Sequence, residues 1–266
     1  MINLETGLSA ESDREQGMRP LNRGVWADNL KNGQELPIGG SLFGRELSTK
    51  IELDFEAFNG QLSEFTEENV RTTYEKQSKA TVIDWLGRVN SDVDPYIFFV
   101  CFNVQQKLAK LLEIDPKEPT DSFERRKMYQ GDRPPKLSET KGKTECAERA
   151  ALGQYLLQRL GLESAYVGGI TMEDVKDQDE YPEAHSFIVI KNPQGGEGNE
   201  TLIFDVARPV NEDNIPRILR TDAPLTYDLL TGREELLVGA KEVLRGGKMW
   251  FGVGHPVAGS HEIVGE

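Results

Sequence analysis

The chain has 266 residues, 37% of them hydrophobic, and 31 Lys and Arg against 45 Asp and Glu leave a net charge of −14. Non-specific binding to nucleic acid or to an anionic membrane needs clustered positive charge, so neither partner is expected. Two cysteines, Cys101 and Cys146, make no disulfide framework and point to a reducing compartment.

The N-terminal stretch MINLETGLSAESDREQG has no basic segment followed by an apolar one, so no standard signal peptide is expected. A cytoplasmic location follows, with export through a different signal as the alternative. Residues 1–50 are polar and weakly periodic, with a loop at GGSLFG (39–44), and read as a flexible or loosely packed N-terminal arm. The remainder, 51–266, reads as one domain. Its helical part spans about 61–130. Over 64–89 the apolar residues Val70, Tyr74, Val82, Trp85, Leu86 and Val89 fall on one helical face, with Thr66 as a cap. Pro95 opens a second helix to about residue 114. It contains YIFFVCF (96–102), the longest apolar run and far too short to cross a bilayer; Cys101 within it reads as a core residue. Four prolines punctuate 115–143, leaving room for a short helix near 121–129.

From 144 the pattern sharpens. A helix runs to Leu160 and stops at Gly161, a residue type suited to a left-handed cap. SAYVGGI (164–170), AHSFIVI (184–190) and TLIFDVA (201–207) read as strands, the last two joined by NPQGGEGN. The acidic loop between the first two carries Asp174, Asp177 and Asp179. These offer oxygen ligands to Ca²⁺, but they lack the spacing and turn glycine of an EF-hand, so a solvated loop is preferred and no cofactor or metal is expected. After Pro209 a helix near 233–245 and a strand at KMWFGV are expected. Helices first and antiparallel strands after them make an α+β domain.

Cys146 admits two readings: a small buried residue, or a nucleophile. With Thr144 as N-cap it lies in the first helical turn, where free N–H groups and the helix dipole stabilise a thiolate. A nucleophile needs a base and an orienting group. Only three histidines exist, and His185 alone falls in a well-defined element; His255 and His261 fall in loop or tail. His185 and Asp205 lie on the two arms of the expected hairpin, and a register centred on Gly195 would set them opposite each other on one face. A one-residue slip would part them.

The blocks GKTECAERAALGQYLLQRLGLESAYVGG, AHSFIVI and TLIFDVARP resemble, in order and spacing, the Cys, His and Asp blocks of the transglutaminase-like superfamily, related in architecture to papain-like cysteine proteases. The resemblance covers roughly 140–210, the expected Cys-His-Asp core. It rests on Gly142 four residues before Cys146, on Glu148, Ala150 and Leu160-Gly161-Leu162, and on Val167 and Gly169. The chain departs from the family at Glu145, where an aromatic is usual, and at Ser186-Phe187. The resemblance implies a core in which a central helix carrying the Cys packs on an antiparallel β-sheet, preceded by N-terminal helices. It implies a Cys146-His185-Asp205 triad acting on an amide of a protein or peptide, as a protease, deamidase or transglutaminase-type acyltransferase. A non-catalytic binding module of the same fold and an exported effector modifying host proteins are the alternatives. Substrate identity and oligomeric state are not legible in the sequence.

Overall fold

The structure is a computed structural model, and it describes residues 18–21, 24–38, 49–77, 93–115, 122–172, 182–191, 201–210, 214–221, 223, 225, 236–244, 246–253 and 262–264. Its centre is a ring of six strands: β5 (Ser164–Met172), β6 (Glu183–Lys191), β7 (Thr201–Asp205), β8 (Arg217–Thr221), β9 (Leu236–Glu242) and β10 (Lys248–Val253). Each pairs antiparallel with the next, and β10 returns to β5, so the sheet closes into a barrel. Closure removes the exposed edges that an open sheet must protect.

The expected α+β core, a central helix on an antiparallel sheet in the transglutaminase-like and papain-like manner, is therefore overturned. The described chain is mostly sheet, with few helices, and its sheet is a closed six-stranded antiparallel barrel. Part of the misreading lies at 233–245. That stretch supplies β9 over Leu236–Glu242, not a helix. Val238 and Ala240 join one buried cluster and Leu237 another, so both faces of β9 are apolar and its period of two is hidden.

One residue from each barrel strand meets in a single cluster: Val167, Phe187, Ile203, Leu219, Val238 and Phe251, all buried. These fill the barrel as side chains fill other small barrels. The opposite face of β5, β6 and β7 contributes Tyr166, Ile188, Ile190, Leu202 and Phe204 to a second core shared with the helices.

Among the described residues, the α-helices longer than one turn are α1 (Glu67–Lys76), α2 (Pro95–Leu111), α3 (Ser122–Met128) and α4 (Cys146–Arg159). Thr66 caps α1 by accepting from the Asn69 N–H, as its sequence predicts, and the rest of the expected 64–89 helix beyond residue 77 lies outside the described residues. Asp94 caps α2, with Pro95 at the first helical position. Helix α4 packs on β5 and β6 and on α2. It approaches so closely that a Cβ on Gly153 would stand 2.8 Å from Ile188 Cδ1. Gly161 ends α4 with φ of +78°, and the Leu162 N–H donates back to Leu157 O at 3.0 Å, closing the C-terminal turn.

The expected loose arm over 1–50 is corrected where it is described. Strand β1 (Met18–Leu21) pairs with β2 (Gly24–Ala27), and β2 adds to β5 beside β10. Trp26, Ala27, Leu30, Leu36 and Ile38 are buried, and β3 (Glu35–Pro37) pairs with β4 (Lys50–Glu52). Polar composition concealed this because the apolar residues are few and widely spaced. Strand β11 (Glu262–Val264) runs parallel to β9. Among the described residues, no helix is long and apolar enough to cross a membrane.

Candidate active site

Cys146 is the first residue of α4 and is half-buried. The N-cap is Glu145, not Thr144; the Glu145 N–H donates to Glu148 Oε2 at 3.1 Å, a reciprocal bond that fixes the helix start. Thr144 instead holds Arg149 through its hydroxyl and carbonyl oxygens.

The structure brings the three expected residues together. The Cys146 thiol is hydrogen-bonded to the His185 ring, and the Ser186 backbone N–H donates to its sulfur. His185 Nε2 lies 3.0 Å from Asp205 Oδ1, which leaves Nδ1 for the thiol. The N–H axis does not point along this contact, so it acts first as a charge pair. Such bonds commonly tighten only when substrate arrives. The Ala207 N–H donates to the same oxygen at 3.2 Å and anchors the carboxylate. Asp205 is fully buried and His185 nearly so.

The hairpin register differs from the one expected. Ile188 pairs with Phe204 and Ile190 with Leu202, while His185 lies opposite Gly169 on β5. Continued along the strands, Asp205 falls opposite Phe187. The shift from the expected pairing is two residues, and an even shift preserves the face. His185 and Asp205 are diagonal neighbours, and the His185 ring stacks beside Phe187 on their common face.

The electrostatics favour an ion pair. Burial raises the Cys146 thiol, but the His185 hydrogen bond and charge and the Ser186 N–H outweigh it, so its pKa falls below the ordinary 9.0. Burial opposes charge on His185, yet the Asp205 carboxylate and then Cys146 push its pKa up to about 9. Burial would raise Asp205, and His185, Arg208 and Arg217 hold it below the usual range. Cys101 is the contrast: fully buried in α2 with no charged partner, its thiol is pushed far up.

A second charged cluster lies under the helix start. Glu148 is completely buried; Arg125 Nη2 donates to its Oε1 at 2.6 Å, and the Tyr129 hydroxyl donates to the same oxygen. Burial and Glu148 push the Tyr129 phenol far up, so it stays a donor. Arg125 also reaches Glu145 Oε2 at 3.3 Å. On the barrel side, Tyr166 and Ser186 share a buried 3.0 Å hydrogen bond beside the Cys146 contact.

Sequence reasoning singled out neither Arg125 and Tyr129 nor Arg149. The first two sit four apart, Arg125 on α3 and Tyr129 just past its end, and Arg149 sits three after Cys146, on its face of α4. That spacing was the available signal. Gln130, two residues past the end of α3, is exposed. His255, His261 and the acidic loop at 173–181 lie outside the described residues, and among the described residues no three His, Cys, Asp or Glu side chains are grouped to hold a metal. A cleft of about 280 Å³ lined by Trp26, Gln158 and Lys191 sits at the far end of α4, away from Cys146. In comparisons with protein-family models, curated proteins and solved structures, nothing matches this chain.

Proposed function

We propose that the chain is a cysteine-dependent amide hydrolase or acyltransferase that acts on a protein or peptide through Cys146, His185 and Asp205. The observation that carries this reading is the half-buried thiol at a helix start, hydrogen-bonded to an imidazole that lies 3.0 Å from a buried carboxylate. The order of the Cys, His and Asp blocks, similar to that of transglutaminase-like proteins, supports it as well.

In this reading the Cys146 thiolate attacks the amide carbonyl carbon and a C–S bond forms. The oxyanion is met by the Cys146 backbone N–H, which at the first helical position has no intrahelical acceptor. His185 gives its proton to the leaving amine as the C–N bond breaks, and a thioester remains. His185 then takes a proton from water; the hydroxyl attacks the thioester, and the C–S bond breaks to release the acid and restore the Cys146 thiolate beside the His185 imidazolium. An amine in place of water gives a cross-link. Hydrolysis or deamidation is placed ahead of cross-linking because water needs no binding site of its own. Asp205 holds the imidazole tautomer and the imidazolium charge throughout. Both cysteines are free, which supports the reducing, cytoplasmic location.

A limiting thiol alkylator at pH 6 tests the site: Cys146 labels fast and Cys101 does not. Equal slow labelling of both would sink the proposal. Incubation of candidate proteins with a biotinylated amine then separates the chemistries, by probe incorporation for acyl transfer, a mass gain of about 1 Da for deamidation, or chain cleavage.

A further inference from the structure

We infer that Arg149 is a positioning residue of this site: it locks the helix start bearing Cys146 to the turn bearing Asp205 and places a cation among the site's acids. The inference rests on the triad reading and adds to it a residue that the nucleophile, base and orienter do not include.

The geometry comes first. Arg149 extends from α4 one turn after Cys146. Its Nε donates to Thr144 Oγ1 at 3.3 Å and its Nη2 to Thr144 O at 3.1 Å, which fixes the two residues before the nucleophile. Its Nη1 donates to Ala207 O at 3.3 Å. Ala207 is the residue whose N–H holds Asp205 Oδ1, the oxygen facing His185. One planar guanidinium thus ties both catalytic segments together. A lysine cannot do this, since its three donors radiate from one point.

Charge supplies the second argument. The thiol is faced by His185 and the Ser186 N–H from β6, by Tyr166 from β5, and by Glu148 from its own helix start, where the preceding residue Glu145 pairs with Arg125. Asp205 stands behind His185. Glu148 acts directly on a group that must itself become an anion, and the Glu145 and Asp205 carboxylates lie one partner further out. Arg125 lies on Glu148 and Glu145, and His185 on Asp205. The Arg149 guanidinium interacts with Cys146, Glu145, Glu148 and Asp205 together. Burial weakens its hold on the proton, but an arginine remains charged at any working pH.

p-Nitrophenyl acetate separates the two roles on the full chain. Acylation of Cys146 reads the thiolate, because the phenolate leaves without a proton; deacylation reads His185 as base. Arg149→Met moves the acylation midpoint up by roughly one pH unit or more and slows deacylation about tenfold or more. Arg149→Lys keeps the midpoint near that of the native protein and still slows deacylation about tenfold. Should the Met variant fail to fold, the Lys variant alone decides through that split. If both folded variants acylate and deacylate as the native protein does, or only their thermal stability falls, the assignment of Arg149 is wrong and the triad reading stands. If native Cys146 fails to acylate faster than Cys101, the triad reading falls and the assignment of Arg149 with it.

Discussion

Arg125→Met tests whether the helix start bearing Cys146 depends on a buried ion pair. The Arg125 side chain is 3% exposed and Glu148 0%, with Nη2 and Oε1 2.6 Å apart. At that separation and an effective dielectric constant of about 20, the Coulomb attraction is about 6 kcal/mol, most of it offset by desolvation of both groups. Removing one partner exposes the imbalance, because the remaining carboxylate keeps its desolvation cost. Such losses run at about 3–5 kcal/mol. Glu148 would retain two donors, the Tyr129 hydroxyl and the Glu145 N–H, so the lower end, about 3 kcal/mol, is expected. Urea unfolding at pH 7 gives the number. The double variant Arg125→Met/Glu148→Gln, which removes both charges, recovers at least half of the loss. A loss below about 1 kcal/mol in the single variant, or a double variant as unstable as the two single changes summed, would refute the reasoning. In the single variant the unpaired Glu148 also raises the Cys146 thiol, since its charge already acts in that direction.

Three further outcomes are expected. Asp205→Asn removes the charge that lifts His185, so the thiol loses its imidazolium and labelling of Cys146 at pH 6 falls by tenfold or more; the ceiling is about a thousandfold, because a thiol of ordinary pKa 9.0 is about one-thousandth ionised there. Unchanged labelling would remove Asp205 from the site. Stability carries a linked pH dependence. His185, raised from 6.5 to about 9, contributes stability that is full below pH 6.5 and lost as the pH climbs through about 9. Cys146, lowered from 9.0, contributes stability that is gained between its folded value and 9.0 and lost as the pH falls through that folded value. Between pH 6.5 and 9 the pair holds one proton whether folded or unfolded, so the two slopes cancel. Cys146→Ala leaves only the His185 limb, and its stability then falls with rising pH by up to about 1.4 kcal/mol per unit relative to the native protein; parallel urea-unfolding curves at pH 7 and 8.5 would contradict the ion pair. Gly153→Ala sets a Cβ 2.8 Å from Ile188 Cδ1 and 3.3 Å from Val206 Cγ1, and costs about 1–3 kcal/mol through displacement of α4 from the barrel wall, read as a lowered melting temperature.

The helix from Cys146 to Arg159, its stop at Gly161 and the strands now seen as β5, β6, β7 and β10 were all legible in the sequence. Their signals are local: apolar spacing, a left-handed cap, β-branched and aromatic runs. Cys146, His185 and Asp205 were legible because reactive residue types are few here and lie on those well-marked elements. Their meeting was not. Register depends on pairings across a nine-residue gap, and the real one differs by two residues while sparing the face by parity alone. Barrel closure was hidden for the same reason at longer range: β5 must pair with β6, with β10 and with the early strand β2, and no local pattern records partners so far apart. Arg125, Tyr129 and Arg149 belong to no sequence motif that marks them as part of a site. Only tertiary structure puts a buried Glu148 under the helix start and Ala207 within reach of a guanidinium, and desolvation then makes those charges matter. The sequence by itself determined which side chains could react; the closed barrel and the helix lying on it decided which of them touch.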